Sequence, residues 1–199
     1  MTFTWVRLQS EVARWVEKNF PTSPPEHQVL GLIEELGELA HARLKSEQGI
    51  RGDASAHAAA ARDAVADNVI FFMHACSNLG WASQEILRSA SPEEFQMTFS
   101  VPAGRSPVVH TLKHLARLAE NLELVEGAAT AIEKEAYMAG ARAAALPYLS
   151  GLAAYCTQMG WSLQSILDET WPQVRARDWT KDKLSGGTTE KVPEEDSDK

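Results

Sequence analysis

The chain has 199 residues, 44% of them hydrophobic and 23% charged, and a formal net charge of −8 at pH 7. This length suffices for one sizeable hydrophobic core, or for two small domains, without stabilisation by disulfides. The acidic balance argues against binding to a nucleic acid polymer through a basic surface. No apolar run approaches about 18 residues and the N-terminus has no long apolar core, so we expect a cytoplasmic protein without membrane spans.

Abundant alanine and scarce β-branched runs predict an all-α helical bundle. Ser55 is expected to be the N-cap of the third helix. The predicted apolar stripe of the second helix consists of Val29, Ile33, Leu36 and Ala40. In chain order, the first four predicted helices span residues 4–18, 26–45, 55–79 and 82–90.

The two halves of the chain resemble each other at a constant offset of 80 residues. Segment 76–87 matches segment 156–167, with six of twelve positions identical, including Gly80-Trp81 and Gly160-Trp161. This density of identities predicts two tandem copies of one helical unit, which we expect to form a pseudo-dimer. The predicted division is a first repeat (1–99), a linker (100–107), a degenerate second repeat (108–182) and a disordered tail (183–199).

Five carboxylates interrupt apolar, helix-patterned sequence in the first repeat. Glu34, Glu35 and Glu38 lie on the second predicted helix, and Asp63 and Asp67 on the third. Spacings of three and four residues place the members of each group on one helix face. If the two helices pack antiparallel, all five carboxylates meet in one small volume, where their repulsion requires a compensating cation. We therefore expect bound Mg²⁺, with Mn²⁺ as a substitute, bridging the phosphates of a nucleotide.

The second repeat lacks these acids, since Ala143 and Pro147 stand 80 residues after Asp63 and Asp67. We therefore predict one metal site, in the first repeat. Around it, Lys45 and Arg51 either contact substrate phosphates or are ordinary loop charges. Asn68 either contacts the base or ribose or is a helix-surface amide. We expect core positions for four aromatic residues and one methionine, namely Phe71, Phe72, Met73, Trp81 and Trp161.

These motifs resemble those of the all-α nucleoside triphosphate pyrophosphohydrolases, the MazG-like group that includes the dimeric dUTPases and dCTPases. That group pairs an EExxE motif on one helix with ExxD on the next. Glu34, Glu35 and Glu38 match the first motif, and Asp67 matches the final acid of the second. The other acid of the second motif is Ala64 here, and Asp63 is its expected replacement. The resemblance covers residues 4–80 and returns over 160–187, where Arg177-Asp178-Trp179 is similar to the C-terminal end of the group.

The resemblance implies hydrolysis of an NTP or dNTP to the monophosphate and pyrophosphate with Mg²⁺. It also implies that Glu35, Glu38 and Asp67 are metal ligands, with Glu35 acting on the nucleophilic water. One alternative is a catalytically inactive module that binds nucleotide or a protein partner, as the missing acid at Ala64 indicates. A relative specialised for phosphoribosyl-ATP is disfavoured because such members are much shorter. A pseudo-dimer can also pair with a second copy, so a homodimer stays open.

Overall fold

A computed structural model describes residues 3–184, and this part of the chain consists of α-helices and loops. The all-α prediction is therefore confirmed. Within this range no helix combines the length and the apolar character that a membrane-spanning segment requires. Of the predicted tail, residues 185–199 lie outside the described part. The helices are α1 (Trp5–Asn19), α2 (Pro25–Gln48), α3 (Ala54–Asn78), α4 (Ser83–Leu87), α5 (Pro92–Thr98), α6 (Pro107–Gly127), α7 (Ala131–Met159) and α8 (Leu163–Ala176).

Local sequence explains where the helices around the site begin and end. α2 ends at Gly49, whose φ of 64° is left-handed, a conformation that glycine adopts without a steric penalty. α3 begins after Asp53, whose carboxylate accepts a hydrogen bond from the Ala56 N–H at 2.8 Å. Asp53 is therefore the N-cap, and the prediction of Ser55 was wrong by two residues. Sequence reasoning also missed α5, a short helix capped by Ser91.

α3 lies at the centre of the first half, with α1, α2 and α8 packed against it, while α6 and α7 pair along their length. The buried face of α2 carries Leu32, Leu36 and Leu39. Ile33, which the sequence placed in the apolar stripe, is 50% exposed. Leu36 is buried as predicted, but Leu32 and Leu39 take the buried positions that were predicted for Ile33 and Ala40. Hydrophobic periodicity alone does not distinguish such adjacent positions.

Two cation–π contacts join the halves of the chain, and the residues of one lie 80 positions from the corresponding residues of the other. The Arg62 guanidinium lies over the Trp161 ring at 5.8 Å, and that of Arg142 lies over the Trp81 ring at 5.6 Å. Trp81 is buried and Trp161 is partly buried against the core, as expected for both. An exchanged pair of this kind, in which each half supplies the cation to the other, is the pattern that a two-fold relation produces.

The turns after α3 and α7 are also held in the same way. Gln9 Nε2 donates to the Trp81 carbonyl at 2.7 Å, and Gln96 Nε2 donates to the Trp161 carbonyl at 2.7 Å. Gln9 belongs to α1 and Gln96 belongs to α5. The seven-residue α5 therefore makes the same side-chain contact with the turn after α7 that the 15-residue α1 makes with the turn after α3.

Candidate functional site

The antiparallel packing of α2 and α3 fixes which residues face each other. Near the start of α2, Gln28 Nε2 lies 3.3 Å from His74 Nε2. One turn further along, Gly31 lies directly against the Phe71 ring, so closely that an added Cβ would overlap it. One more turn along α2, Glu35 lies beside Asp67, whose negative charge raises the pKa of Glu35. From each of these facing pairs to the next, the residue number rises by about one helical turn in α2 and falls by about one turn in α3, as antiparallel packing requires.

The five predicted carboxylates come together at this register. The pKa of Glu35 is raised to about 8, first by burial and then by the charges of Asp67, Glu38, Glu34 and Asp63, in that order. Burial and the charges of Glu34 and Asp63 also raise the pKa of Glu38. Both helices therefore contribute carboxylates to one region of negative potential.

Position 64 explains how the chain departs from the ExxD pattern. Ala64 is fully buried in the core, whereas the preceding residue, Asp63, is exposed. Asp63 and Asp67 are four residues apart and therefore share a face of α3. A carboxylate at position 64 would point into the apolar core, so Asp63 is the acid that this helix presents beside Asp67.

The chemistry of these donors suits a hard divalent cation. All five side chains offer carboxylate oxygens, the ligands that Mg²⁺ and Mn²⁺ prefer. A cation would also compensate the negative potential that raises the pKa of Glu35. Among the described residues, no three His, Cys, Asp or Glu side chains form a ready-made metal cage.

Beside the carboxylates lies a cavity of about 410 Å³, which is within the usual range for small-molecule sites. Glu34, Glu35 and Asp67 lie at its acidic side. Its apolar wall contains four aromatic side chains, which come from α1 and the residue that follows it, from α3 and from the segment after α8. These aromatic residues are Trp15, Phe20, Phe71 and Trp179.

The segment after α8 closes the cavity against α1. Trp15 Nε1 donates to the Arg177 carbonyl at 3.1 Å, and the Trp179 N–H donates to Asn19 Oδ1 at 2.8 Å. Lys18 Nζ lies 2.8 Å from the carboxylate of Asp178 and holds the pKa of that carboxyl well below its usual range. Residues more than 150 positions apart in the chain therefore form one wall of the site.

His74 supplies a neutral imidazole at the cavity. Burial lowers its pKa to about 4. Its Nε2 lies 3.3 Å from the side-chain amides of both Gln28 and Asn78. If these amide groups donate, Nε2 is the acceptor and the ring proton sits on Nδ1. The cavity therefore carries hydrogen-bonding groups away from its acidic side.

The three predicted substrate contacts lie away from the cavity. Asn68 is fully buried, so it is neither a helix-surface amide nor a side chain that faces the cavity. Its side chain donates to the Ala64 carbonyl at 2.7 Å and accepts from the Tyr148 hydroxyl. Lys45 lies two turns beyond the carboxylates and donates to Gln48 at 3.1 Å. Arg51 is exposed in the α2–α3 loop, with a left-handed φ of 60°. None of the three lines the cavity.

Sequence reasoning missed the aromatic wall. Phe72 and Met73 are fully buried as predicted, but Phe71 is partly exposed and lines the cavity. Gly31 faces Phe71, but a glycine within α2 does not by itself mark the cavity, because Gly37 on the same helix faces open space.

Comparison with known proteins gives no relative, because no family model, curated protein or solved structure matches this chain.

Proposed function

We propose that this protein is a Mg²⁺-dependent nucleoside triphosphate pyrophosphohydrolase that releases the nucleoside monophosphate and pyrophosphate. The observation that carries the proposal is the junction of two unlike environments. Glu34, Glu35 and Asp67 lie at one side of a cavity whose apolar wall carries four aromatic rings. The charges of Glu38 and Asp63 also act on Glu35, so both belong to the same acidic cluster. A nucleoside triphosphate has the same two parts, a polyphosphate that needs divalent cations and a flat base that stacks on aromatic rings.

In this arrangement the polyphosphate lies over the carboxylates and the base lies against the aromatic wall. Glu34, Glu38, Asp63 and Asp67 would hold Mg²⁺, with Glu35 as a further ligand. When bound, Mg²⁺ supplies charge neutralisation for the polyphosphate and lowers the pKa of water. Glu35 is the least exposed of the three α2 acids and sits closest to the buried interior, which suits it to orient and deprotonate the attacking water.

The second half of the chain is best explained as a degenerate copy of the first. The exchanged Arg–Trp contacts and the matching glutamine bonds support a pseudo-two-fold arrangement. At the same offset Glu35 and Glu38 correspond to Leu115 and Leu118, which are both buried. The second copy therefore contributes core packing, and its final segment contributes the Trp179 wall of the cavity. A homodimer of this chain stays a prediction, which light scattering on the purified protein tests.

The decisive assay incubates the protein with a panel of NTPs and dNTPs, with Mg²⁺ or with EDTA, and separates the products. We expect monophosphate and pyrophosphate from one or a few nucleotides, only with Mg²⁺. Glu38→Gln should abolish the products. Glu47→Gln is the matched control, because Glu47 lies on the same helix in an exposed ion pair with Arg43. Diphosphate and inorganic phosphate as products, or equal turnover in both variants, would contradict the proposal.

A non-catalytic nucleotide-binding module is the second candidate. The observation in its favour is Ala64, which leaves α3 without the family's first acid at the usual position. Thermal stability and product formation, measured on the same samples, distinguish the two candidates. Stabilisation against heat by Mg²⁺ and a nucleotide, without any product, supports the binding module, whereas stabilisation with turnover supports the enzyme.

A further inference from the structure

One hydrogen-bonded pair joins the two halves of the chain directly behind the carboxylates. Asn68 and Tyr148 are 80 positions apart, and both are fully buried. The Tyr148 hydroxyl donates to Asn68 Oδ1, and Asn68 Nδ2 donates to the Ala64 carbonyl at 2.7 Å. A chain of two hydrogen bonds therefore runs from α7 into the turn of α3 between residues 64 and 68.

This turn of α3 belongs to the candidate site. Asp67 precedes Asn68 in the chain and lines the cavity, and its charge acts on Glu35. The charge of Glu35 also reaches Tyr148, so the hydroxyl lies close behind the acidic cluster. Burial, and secondly that charge, raise the pKa of Tyr148, so its hydroxyl stays protonated and continues to donate.

We propose that Tyr148 is a positioning residue, which holds Asn68 and thereby fixes the α3 turn that presents Asp67 opposite Glu35. The inference rests on the proposed function, and it gives the degenerate half a specific task in the site of the first half. Groups that orient metal-binding side chains from behind typically contribute about 10- to 100-fold to metal affinity or activity. The same effect is expected here although Tyr148 contacts neither substrate nor metal.

The obvious variant is Tyr148→Phe, which removes the hydroxyl and keeps the ring that packs against Phe72 at 6.1 Å between centroids. It leaves Asn68 Oδ1 without its donor. Tyr155→Phe is the matched control, because Tyr155 lies on the same helix, two turns further on, with its ring against Trp161. Both changes remove one tyrosine hydroxyl from α7, so a general effect on core packing would appear in both.

Steady-state kinetics separate positioning from simple destabilisation. We expect Tyr148→Phe to lower kcat about tenfold with KM unchanged, and Tyr155→Phe to leave both constants unchanged. Asn68→Ala should lower kcat similarly, and the double variant with Tyr148→Phe should be no worse than either single variant. Equal kcat in Tyr148→Phe and Tyr155→Phe, or additive losses in the double variant, would overturn the inference.

A second measurement keeps this test independent of the proposed function. Mn²⁺ affinity, followed by electron paramagnetic resonance, is expected to be about tenfold weaker in Tyr148→Phe than in Tyr155→Phe. If the wild-type protein hydrolyses no nucleotide, the proposed function fails. The ratio of the Mn²⁺ affinities of Tyr148→Phe and Tyr155→Phe then tests the positioning role by itself. Equal Mn²⁺ affinities would overturn the positioning role, and a wild-type protein that binds no Mn²⁺ would overturn both.

Discussion

The raised pKa of Glu35 predicts an unusual dependence of stability on pH. Its pKa is about 8 in the metal-free protein, against an ordinary value of 4.5. Between these two values the folded protein holds a proton that the unfolded chain has released. The free energy of unfolding contributed by this group is therefore largest below about pH 4.5 and falls as the pH rises to about 8.

The magnitude follows from the size of the shift. For a fully buried group, a pKa shift of this size would change the free energy of unfolding by about 5 kcal/mol. Glu35 is only partly buried, and solvent screens its interactions with neighbouring charges, so we expect about 1–2 kcal/mol. Glu38 adds a contribution of the same sign. The lowered pKa of His74 acts in the opposite direction, because stability from that group rises with pH between about 4 and 6.5.

Urea unfolding of the wild-type protein and of Glu35→Gln, in EDTA at several pH values from 5 to 8, isolates the Glu35 contribution. The His74 contribution is common to both proteins and cancels in the difference. We expect the variant to gain about 1–2 kcal/mol relative to wild type over this range. Mg²⁺ at pH 8 should stabilise the wild-type protein more than the variant. Parallel pH profiles in EDTA would refute the electrostatic account of the site.

Three further predictions concern the cavity and the carboxylates. Gly31→Ala should raise KM and cost about 1–3 kcal/mol of stability, because the added methyl group displaces the Phe71 ring into the cavity. Gly37→Ala on the same helix has open space and should leave KM unchanged, so equal kinetics in the two variants would contradict this. Glu38→Ala should abolish turnover while circular dichroism shows nearly unchanged helix content. Asp63→Ala should lower kcat far more than Asp63→Glu, and full activity in both would show that Asp63 is no ligand.

Local features of the site could be predicted from sequence. The spacing of Glu34, Glu35 and Glu38 fixes their face of α2 as soon as the segment is helical, and the same is true of Asp63 and Asp67. Their convergence required only that α2 and α3 pack antiparallel, which a short connection favours.

The cavity could not be predicted because it depends on contacts between distant parts of the chain. Trp15 meets the backbone of Arg177 across 162 positions, and no periodicity encodes that contact. Phe71 was assigned to the core because an apolar run in a helix does not reveal which member faces a cavity. For Asn68 the sequence offered a substrate contact or a helix-surface amide, and neither included a buried hydrogen bond, because its partner, Tyr148, lies in the other half of the chain.

The most direct test of the central claim is a Mn²⁺ titration of the purified protein, followed by electron paramagnetic resonance, with and without a non-hydrolysable NTP analogue. Wild type and the control Glu47→Gln should bind Mn²⁺, more tightly when the analogue is present. Glu38→Gln and Asp67→Asn should lose most of that binding, because each removes a carboxylate from the cluster that α2 and α3 form. Unchanged Mn²⁺ binding in both cluster variants would contradict the assignment of a metal–nucleotide site to these helices.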